Sequence, residues 1–206
     1  SLPYMITQKG LEFLLKSLKR LGSLSSFSFT LTEWFGLKKE FVSLNKAIAE
    51  LVSLETLNLE LSPNVEFTSL GELLKSHKKL KTFGFRFRSC NPVMDEELKD
   101  FSEGLKELGA LKDLSLDLSG HNELTDLSLG FISEGIRKCE KIQDISLNFS
   151  RCRRITDKWL NRLAEIIESM VNLKKVGLEF RDCGSITEKG LIRINESLKT
   201  LPLLKD

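Results

Sequence analysis

The sequence predicts an α/β solenoid, a right-handed β-α superhelix with a parallel sheet on its concave face and helices on its convex face. Three observations predict it. A ladder of apolar residues recurs along the 206 residues, and its cleanest copies start at Leu111, Ile142 and Leu173, 31 residues apart. Within each copy the apolar residues alternate for the length of one strand and then switch to helical spacing. At that switch several copies carry a threonine, whose hydroxyl can accept from a free N–H of the first helical turn. A period in the range of roughly 20–50 residues marks units that cannot bury their apolar face alone and must stack on a neighbour.

Each element follows from this pattern. Ile6-Thr7-Gln8-Lys9-Gly10-Leu11 recurs as Ile186-Thr187-Glu188-Lys189-Gly190-Leu191, so a first helix is predicted near 7–20. The first ladder copy starts at Leu24. Taking that residue as position zero, positions +3, +5 and +7 place Phe27, Phe29 and Leu31 on the buried face of a strand. A helix near 37–51 leads to the copy at Leu54, with Leu57, Leu59 and Leu61. The copy at Leu80 carries Phe83, Phe85 and Phe87; it follows after 26 residues instead of 30 or 31, which removes about one turn from the helix near 68–78. The remaining strands carry Leu114/Leu116/Leu118, Ile145/Leu147/Phe149 and Val176/Leu178/Phe180, with helices near 95–108, 125–139, 156–170 and 187–200. Position +13 (Leu37, Phe67, Val93, Leu124, Ile155, Ile186) closes each loop before the helix. Thr7, Thr68, Thr125, Thr156 and Thr187 read as N-caps, and Asp126, Asp157 and Glu188 suit the positive helix end. Leu204 starts another copy, 31 residues after Leu173. The whole reads as one domain over residues 1–206, of about seven repeats. Because the chain begins and ends inside a repeat, with no polar cap, it reads as a fragment of a longer array.

The bulk composition narrows the function classes. Lys+Arg (31) and Asp+Glu (29) nearly cancel to a net charge of +2, which gives no general pull toward nucleic acid or an anionic membrane. No apolar run approaches the roughly 18 residues a membrane span needs. Four cysteines placed at ladder positions, outside any small secreted framework, point to a reducing, cytoplasmic compartment.

At Ile142-Gln143-Asp144-Ile145-Ser146-Leu147, followed by Cys152 and Ile155-Thr156-Asp157 and preceded by Cys139, the chain resembles the ribonuclease-inhibitor-like leucine-rich repeats. The nearest subtype is the cysteine-containing one found in many F-box proteins. An extra apolar position before the cysteine slot, Leu118, Phe149 or Phe180, departs from that subtype. The resemblance implies a leucine-rich repeat solenoid that binds other proteins. It leaves the partner open, because this architecture serves unrelated partners. No F-box is visible in these residues.

Position +10 reads Trp34, Asn64, Cys90, His121, Cys152, Cys183. Stacked about 5 Å apart on successive strands, the last four span about 15 Å, too far for tetrahedral zinc. The preferred reading is a buried ladder side chain that bonds the loop backbone. A Cys152–Cys183 disulfide is sterically allowed by that spacing but disfavoured. His77 and His121 assemble no nucleophile–base pair, and no phosphate-cradling glycine loop is present. The chain therefore reads as no enzyme, with no cofactor, metal or catalytic residue.

The residues between the ladder positions face the concave side. Position +4 is small throughout (Ser28, Asn58, Gly84, Ser115, Ser146, Gly177), for either of two reasons: crowding on the inner curve, or close approach of a partner. Acids dominate the middle columns at Glu60, Asp113, Asp117, Asp144 and Glu179, while Arg86, Arg88 and Arg181 mark one side. These eight residues are the predicted partner-binding set, since mixed charge can select and orient a protein partner. Arg151, Arg153 and Arg154 form a basic cluster in a rim loop, read as solvated in preference to a nucleic-acid site. The expected function is a protein–protein interaction scaffold that binds a partner on the concave sheet. The alternatives are an architectural segment of a larger assembly, with end-to-end self-association, or a regulatory repeat domain fused to a domain outside this chain.

Overall fold

The structure is a computed structural model and describes residues 8–18, 20–31, 38–61, 69–87 and 95–204. Helices and strands alternate: α1 (Gln8–Leu18), β1 (Ser26–Leu31), α2 (Lys38–Ala49), β2 (Thr56–Leu61), α3 (Leu70–Lys75), β3 (Thr82–Phe87), α4 (Asp95–Lys106), β4 (Asp113–Asp117), α5 (Asp126–Arg137), β5 (Asp144–Asn148), α6 (Asp157–Ser169), β6 (Lys175–Glu179) and α7 (Glu188–Lys199). The strands pair in parallel in the order β1-β2-β3-β4-β5-β6. Equal ladder positions lie opposite one another throughout: Phe29, Leu59, Phe85, Leu116, Leu147 and Leu178 form one row across the sheet. This is the α/β leucine-rich repeat solenoid that the period predicts.

The register is set before each strand begins. Lys112 N–H donates to Lys81 O, Gln143 N–H to Lys112 O and Lys174 N–H to Gln143 O, each at 2.7 Å, so every repeat is aligned by its residue at position +1. β1–β3 run to position +7 as expected, whereas β4–β6 stop at +6. Leu118 and Phe149 nevertheless still donate to Asn148 O and Glu179 O, both at 2.9 Å, so the backbone turns away one residue early without losing its pairing.

Thr125, Thr156 and Thr187 are N-caps, accepting from Ser128 N–H, Lys158 N–H and Lys189 N–H. Thr7, Thr68, Leu37, Phe67 and Val93 lie outside the described residues. α3 is only six residues long, shorter than the 68–78 expected, and its N-cap Ser69 makes no side-chain cap bond.

The apolar strand positions and the inner helix faces form a continuous core from Leu18 to Leu201. Each fully buried Leu or Phe contributes roughly 1.5–3 kcal/mol relative to exposure. Burial fades at both sheet edges, where Phe27 and Phe29 on β1, Val176 and Leu178 on β6, and Phe180 just beyond it are only partly covered. No described helix is long and apolar enough to cross a membrane.

Small residues set how closely the helices pack. A Cβ at Gly104 would fall 2.6 Å from Gly71 O, one at Gly135 3.0 Å from Leu105 Cβ, and one at Gly190 2.8 Å from Leu160 Cδ1. Glycine thus lets α3 meet α4, α4 meet α5, and α6 meet α7. Position +24, which carries Gly104 and Gly135, is Ile166 in α6. Position +17 is Ser128 in α5 and Gly190 in α7, but Trp159 in α6. α5 and α6 accordingly approach one another less closely than these other pairs.

Candidate functional site

Period-two alternation places positions +2, +4 and +6 of each strand on the sheet face away from the helices. The burial pattern agrees: in β4 and β5 the ladder residues are buried and the residues between them are half-buried or exposed. Parallel pairing then turns sequence columns into rows. Glu60, Arg86 and Asp117 are register partners on β2, β3 and β4, and Asp113, Asp144 and Lys175 are register partners on β4, β5 and β6.

The rows are internally bonded. Arg86 Nε donates to Asp117 Oδ2 at 3.0 Å, and its Nη1 lies 3.7 Å from Glu60 Oε1. Lys175 Nζ lies 3.3 Å from Asp144 Oδ2, and Thr82 Oγ1 donates to Asp113 Oδ2 at 2.9 Å. Arg86 sits between two acids, because the spacing of adjacent strands puts opposite charges at equal ladder positions within reach. Asp117 has a second role: its Oδ1 accepts from Ser119 N–H at 3.1 Å and holds the turn that leaves β4. Glu179 and Arg181 are exposed at the end of the edge strand, and Arg88 lies outside the described residues.

A shallow depression of about 210 Å³ lies over β1–β4, bordered by Ser28, Asn58, Gly84, Arg86, Ser115 and Asp117. A Cβ at Gly84 would fall 2.3 Å from Asn58 Oδ1, the tip of a half-buried side chain that would have to turn aside. Ser28, Ser115, Ser146 and Gly177 are exposed, so crowding does not account for the whole small-residue column.

The described members of the +10 column, His121, Cys152 and Cys183, behave as a backbone ladder, while Trp34, Asn64 and Cys90 lie outside the described residues. His121 Nε2 donates to Phe87 O at 3.0 Å, and the thiols of Cys152 and Cys183 donate to Leu118 O and Phe149 O at 3.4 and 3.1 Å. In each case the acceptor is the +7 carbonyl of the preceding repeat, so the ladder ties repeats together. Cys139, Cys152 and Cys183 are free thiols, and burial pushes Cys139 and Cys152 up to about 12, which keeps them protonated and unreactive. Burial also lowers the pKa of His121, whose ring stacks on Phe87. Both ring nitrogens of His77 face backbone carbonyls, Leu73 O at 2.8 Å and Ile48 O at 3.1 Å. Among the described residues no group of three or more His, Cys, Asp or Glu could hold a metal ion.

Two features of the loops arise only from stacking. The acid that opens one helix also holds the cap of the next. Asp126 accepts from Thr156 N–H and Oγ1 at 2.9 and 2.6 Å, and Asp157 accepts the same pair from Thr187. The signal in the sequence is the acid one residue after each of these cap threonines, Asp126, Asp157 and Glu188. At the rim, position +9 is left-handed in three successive repeats, at Gly120 (φ 85), Arg151 (φ 65) and Asp182 (φ 60). Gly120 was the visible clue to that conformation. Arg151 is turned so that its Nε lies 3.7 Å from Asp182 Oδ2, and Arg154 pairs with Glu123, so the rim cluster is partly neutralised.

No protein-family model matches the chain, and no curated protein matches it. Solved structures similar to it include the tropomodulin C-terminal domain from Caenorhabditis elegans, at 15% identity over 92% of each chain and a TM-score of 0.47. Another is a chain from the crystal structure of the Rad7–Elc1 complex in yeast, at 17% identity over 98% of this chain and a TM-score of 0.52. The match spans 60% of that second chain. At these identities the likeness is one of fold.

Proposed function

We propose that this chain is a non-catalytic protein-interaction scaffold that receives a partner on the concave face of its sheet. The observation that carries the reading is the row Glu60–Arg86–Asp117 beside an exposed small-residue column. Ion pairs hold these charges in fixed positions, and the column lets a partner's backbone come close. The fold likeness to a chain from a solved two-protein complex is consistent with this use. The partner-binding set is Glu60, Arg86, Arg88, Asp113, Asp117, Asp144, Glu179 and Arg181. The cysteine-containing ribonuclease-inhibitor-like subtype and a reducing, cytoplasmic setting belong to the same proposal, supported by thiols that act as hydrogen-bond donors in the ladder.

The test is capture from native extract by the chain and by an Arg86→Glu/Asp117→Asn/Glu179→Lys variant. Asn is used at Asp117 because its amide oxygen can still accept from Ser119 N–H. These are exposed or half-buried pairs worth about 0–1 kcal/mol each, so the variant stays folded. Partners held by the native chain are expected to be lost with an unchanged melting curve; identical captures would remove the concave face from the reading.

A second reading, an architectural segment joined end to end, is favoured by the partly covered ladder residues at the β1 and β6 edges. It expects concentration-dependent assembly in sedimentation that Leu178→Lys abolishes. A monomer at all concentrations would sink it.

A further inference from the structure

We propose a second interaction surface on the helical side: the groove between α5 and α6 docks an amphipathic helix of a partner protein, antiparallel to both. The groove is open and holds about 1130 Å³. It exists because α6 carries Trp159 and Ile166 at the two positions where neighbouring helices carry glycine or serine. Both side chains are buried and wedge α6 away from α5, with Trp159 Nε1 donating to Ser133 Oγ at 3.0 Å across the gap. The other glycine of α5, Gly130, is reached only by the guanidinium of Arg162, 3.1 Å from where its Cβ would stand.

The two ends of the groove are apolar. Leu127, in the first turn of α5, is 62% exposed, and Val171, just past α6, is 58% exposed. Between them Arg162 Nη2 donates to Glu134 Oε1 at 2.7 Å, an ion pair that crosses the groove midway. The Arg162 and Arg137 guanidiniums hold the Glu134 carboxyl below the usual carboxylate range, so this bridge persists at neutral pH. A ligand must therefore be apolar at both ends and small in the middle. α5 and α6 are 12 and 13 residues long, or about 18–20 Å, the length of three to four helical turns.

Charge selects the direction. At one end exposed Lys158 stands beside the positive N-termini of α5 and α6, while the Asp126 carboxylate there is taken up by Thr156 N–H and Oγ1. At the other, exposed Glu140 stands beside their negative C-termini, while the Arg137 guanidinium there is taken up by Glu134. A helix whose basic first turn meets Glu140 and whose acidic last turn meets Lys158 complements both the side chains and the dipoles. The face is separate from the concave sheet, so this inference does not depend on that reading.

The probe is a fluorescent synthetic helix of about 14 residues, with Lys in its first turn, Glu in its last, Leu near each end and Ala between. Saturable binding by anisotropy is expected, with amide shift changes confined to α5, α6 and their termini. Leu127→Glu/Val171→Glu, at two exposed positions that leave the fold intact, is expected to weaken binding about tenfold or more. A peptide with Lys and Glu exchanged should bind about tenfold more weakly, and Lys158→Glu/Glu140→Lys should restore it. The proposal is overturned by absence of saturable binding, by equal affinity for the Leu127/Val171 variant, or by shift changes on the sheet face. It is also overturned by a dimer in sedimentation that the same variant dissociates, which would assign the groove to a second copy of this chain.

Discussion

Cys152 and His121 hold equivalent places in the ladder yet respond oppositely to pH. His121 is neutral in the folded chain because burial lowers its pKa. The stability it contributes is present above its unfolded value near 6.5 and is lost as pH falls through the folded value. Burial raises the thiols of Cys139 and Cys152 to about 12. Their contribution is present below the unfolded value near 8.5 and is lost as pH rises toward the folded one. Urea unfolding at a series of pH values is therefore expected to show a plateau between these limits. His121→Cys, which copies its neighbours in the column, should flatten the decline between about pH 6.5 and the carboxylate range. Cys152→Ser should shallow the alkaline decline. A profile unchanged by either substitution would contradict these assignments. The left-handed position +9 is a different kind of single-residue constraint: no side chain approaches Gly120, so only its φ restricts what can replace it.

Between elements, the thickness of each interhelical seam follows from one or two side chains. Gly135 and Ile166 occupy the same place in successive repeats, one closing a seam and the other opening it. Gly135→Ile is expected to force α5 off α4, because its Cβ alone would lie 3.0 Å from Leu105 Cβ and 3.1 Å from Ser102 O. Overpacking of this kind costs about 1–3 kcal/mol, read as a lower urea midpoint with an unchanged slope. An unaltered midpoint would show that the seam is not set by the missing side chain. The caps couple neighbouring elements in the same way, since Asp126 and Asp157 serve both their own helix and the threonine of the next one.

Across the molecule, each repeat is covered on both sides except at the two sheet edges. Leu147 is 1% exposed, while its register partner Leu178 on the edge strand is only partly covered. Stability in such a stack is close to a sum of repeat and interface terms, so the middle repeats are held from two sides and the outer ones from one. The same geometry leaves the described residues with three kinds of surface: a polar sheet face crossed by ion pairs, two partly apolar edges, and a helical face whose α5–α6 seam is wider than the α4–α5 and α6–α7 seams on either side of it. The proposed concave site, the end-to-end reading and the helix groove each belong to one of them.

The repeat, the parallel sheet, the inward ladder and three of the N-caps were legible in the residue pattern, because periods of two and 3.6 report directly which side chains face inward. The His121, Cys152 and Cys183 part of the +10 column was likewise legible as a buried, backbone-bonding ladder. Other features depend on what parallel pairing brings together from about 31 residues away, which no local pattern contains. Equal ladder positions bring Glu60, Arg86 and Asp117 into one row, but the ion pairs among them form only once the three strands are paired. The place of Asp126 in the first turn of α5 accounts for its fit to the helix dipole, but only stacking sets Thr156 against it. Trp159 and Ile166 acquire their role only from helix packing, which sets them opposite α5, where their bulk holds a seam open. Sequence spacing governs which face a side chain takes, but its neighbour on the next repeat is settled only when the whole stack forms.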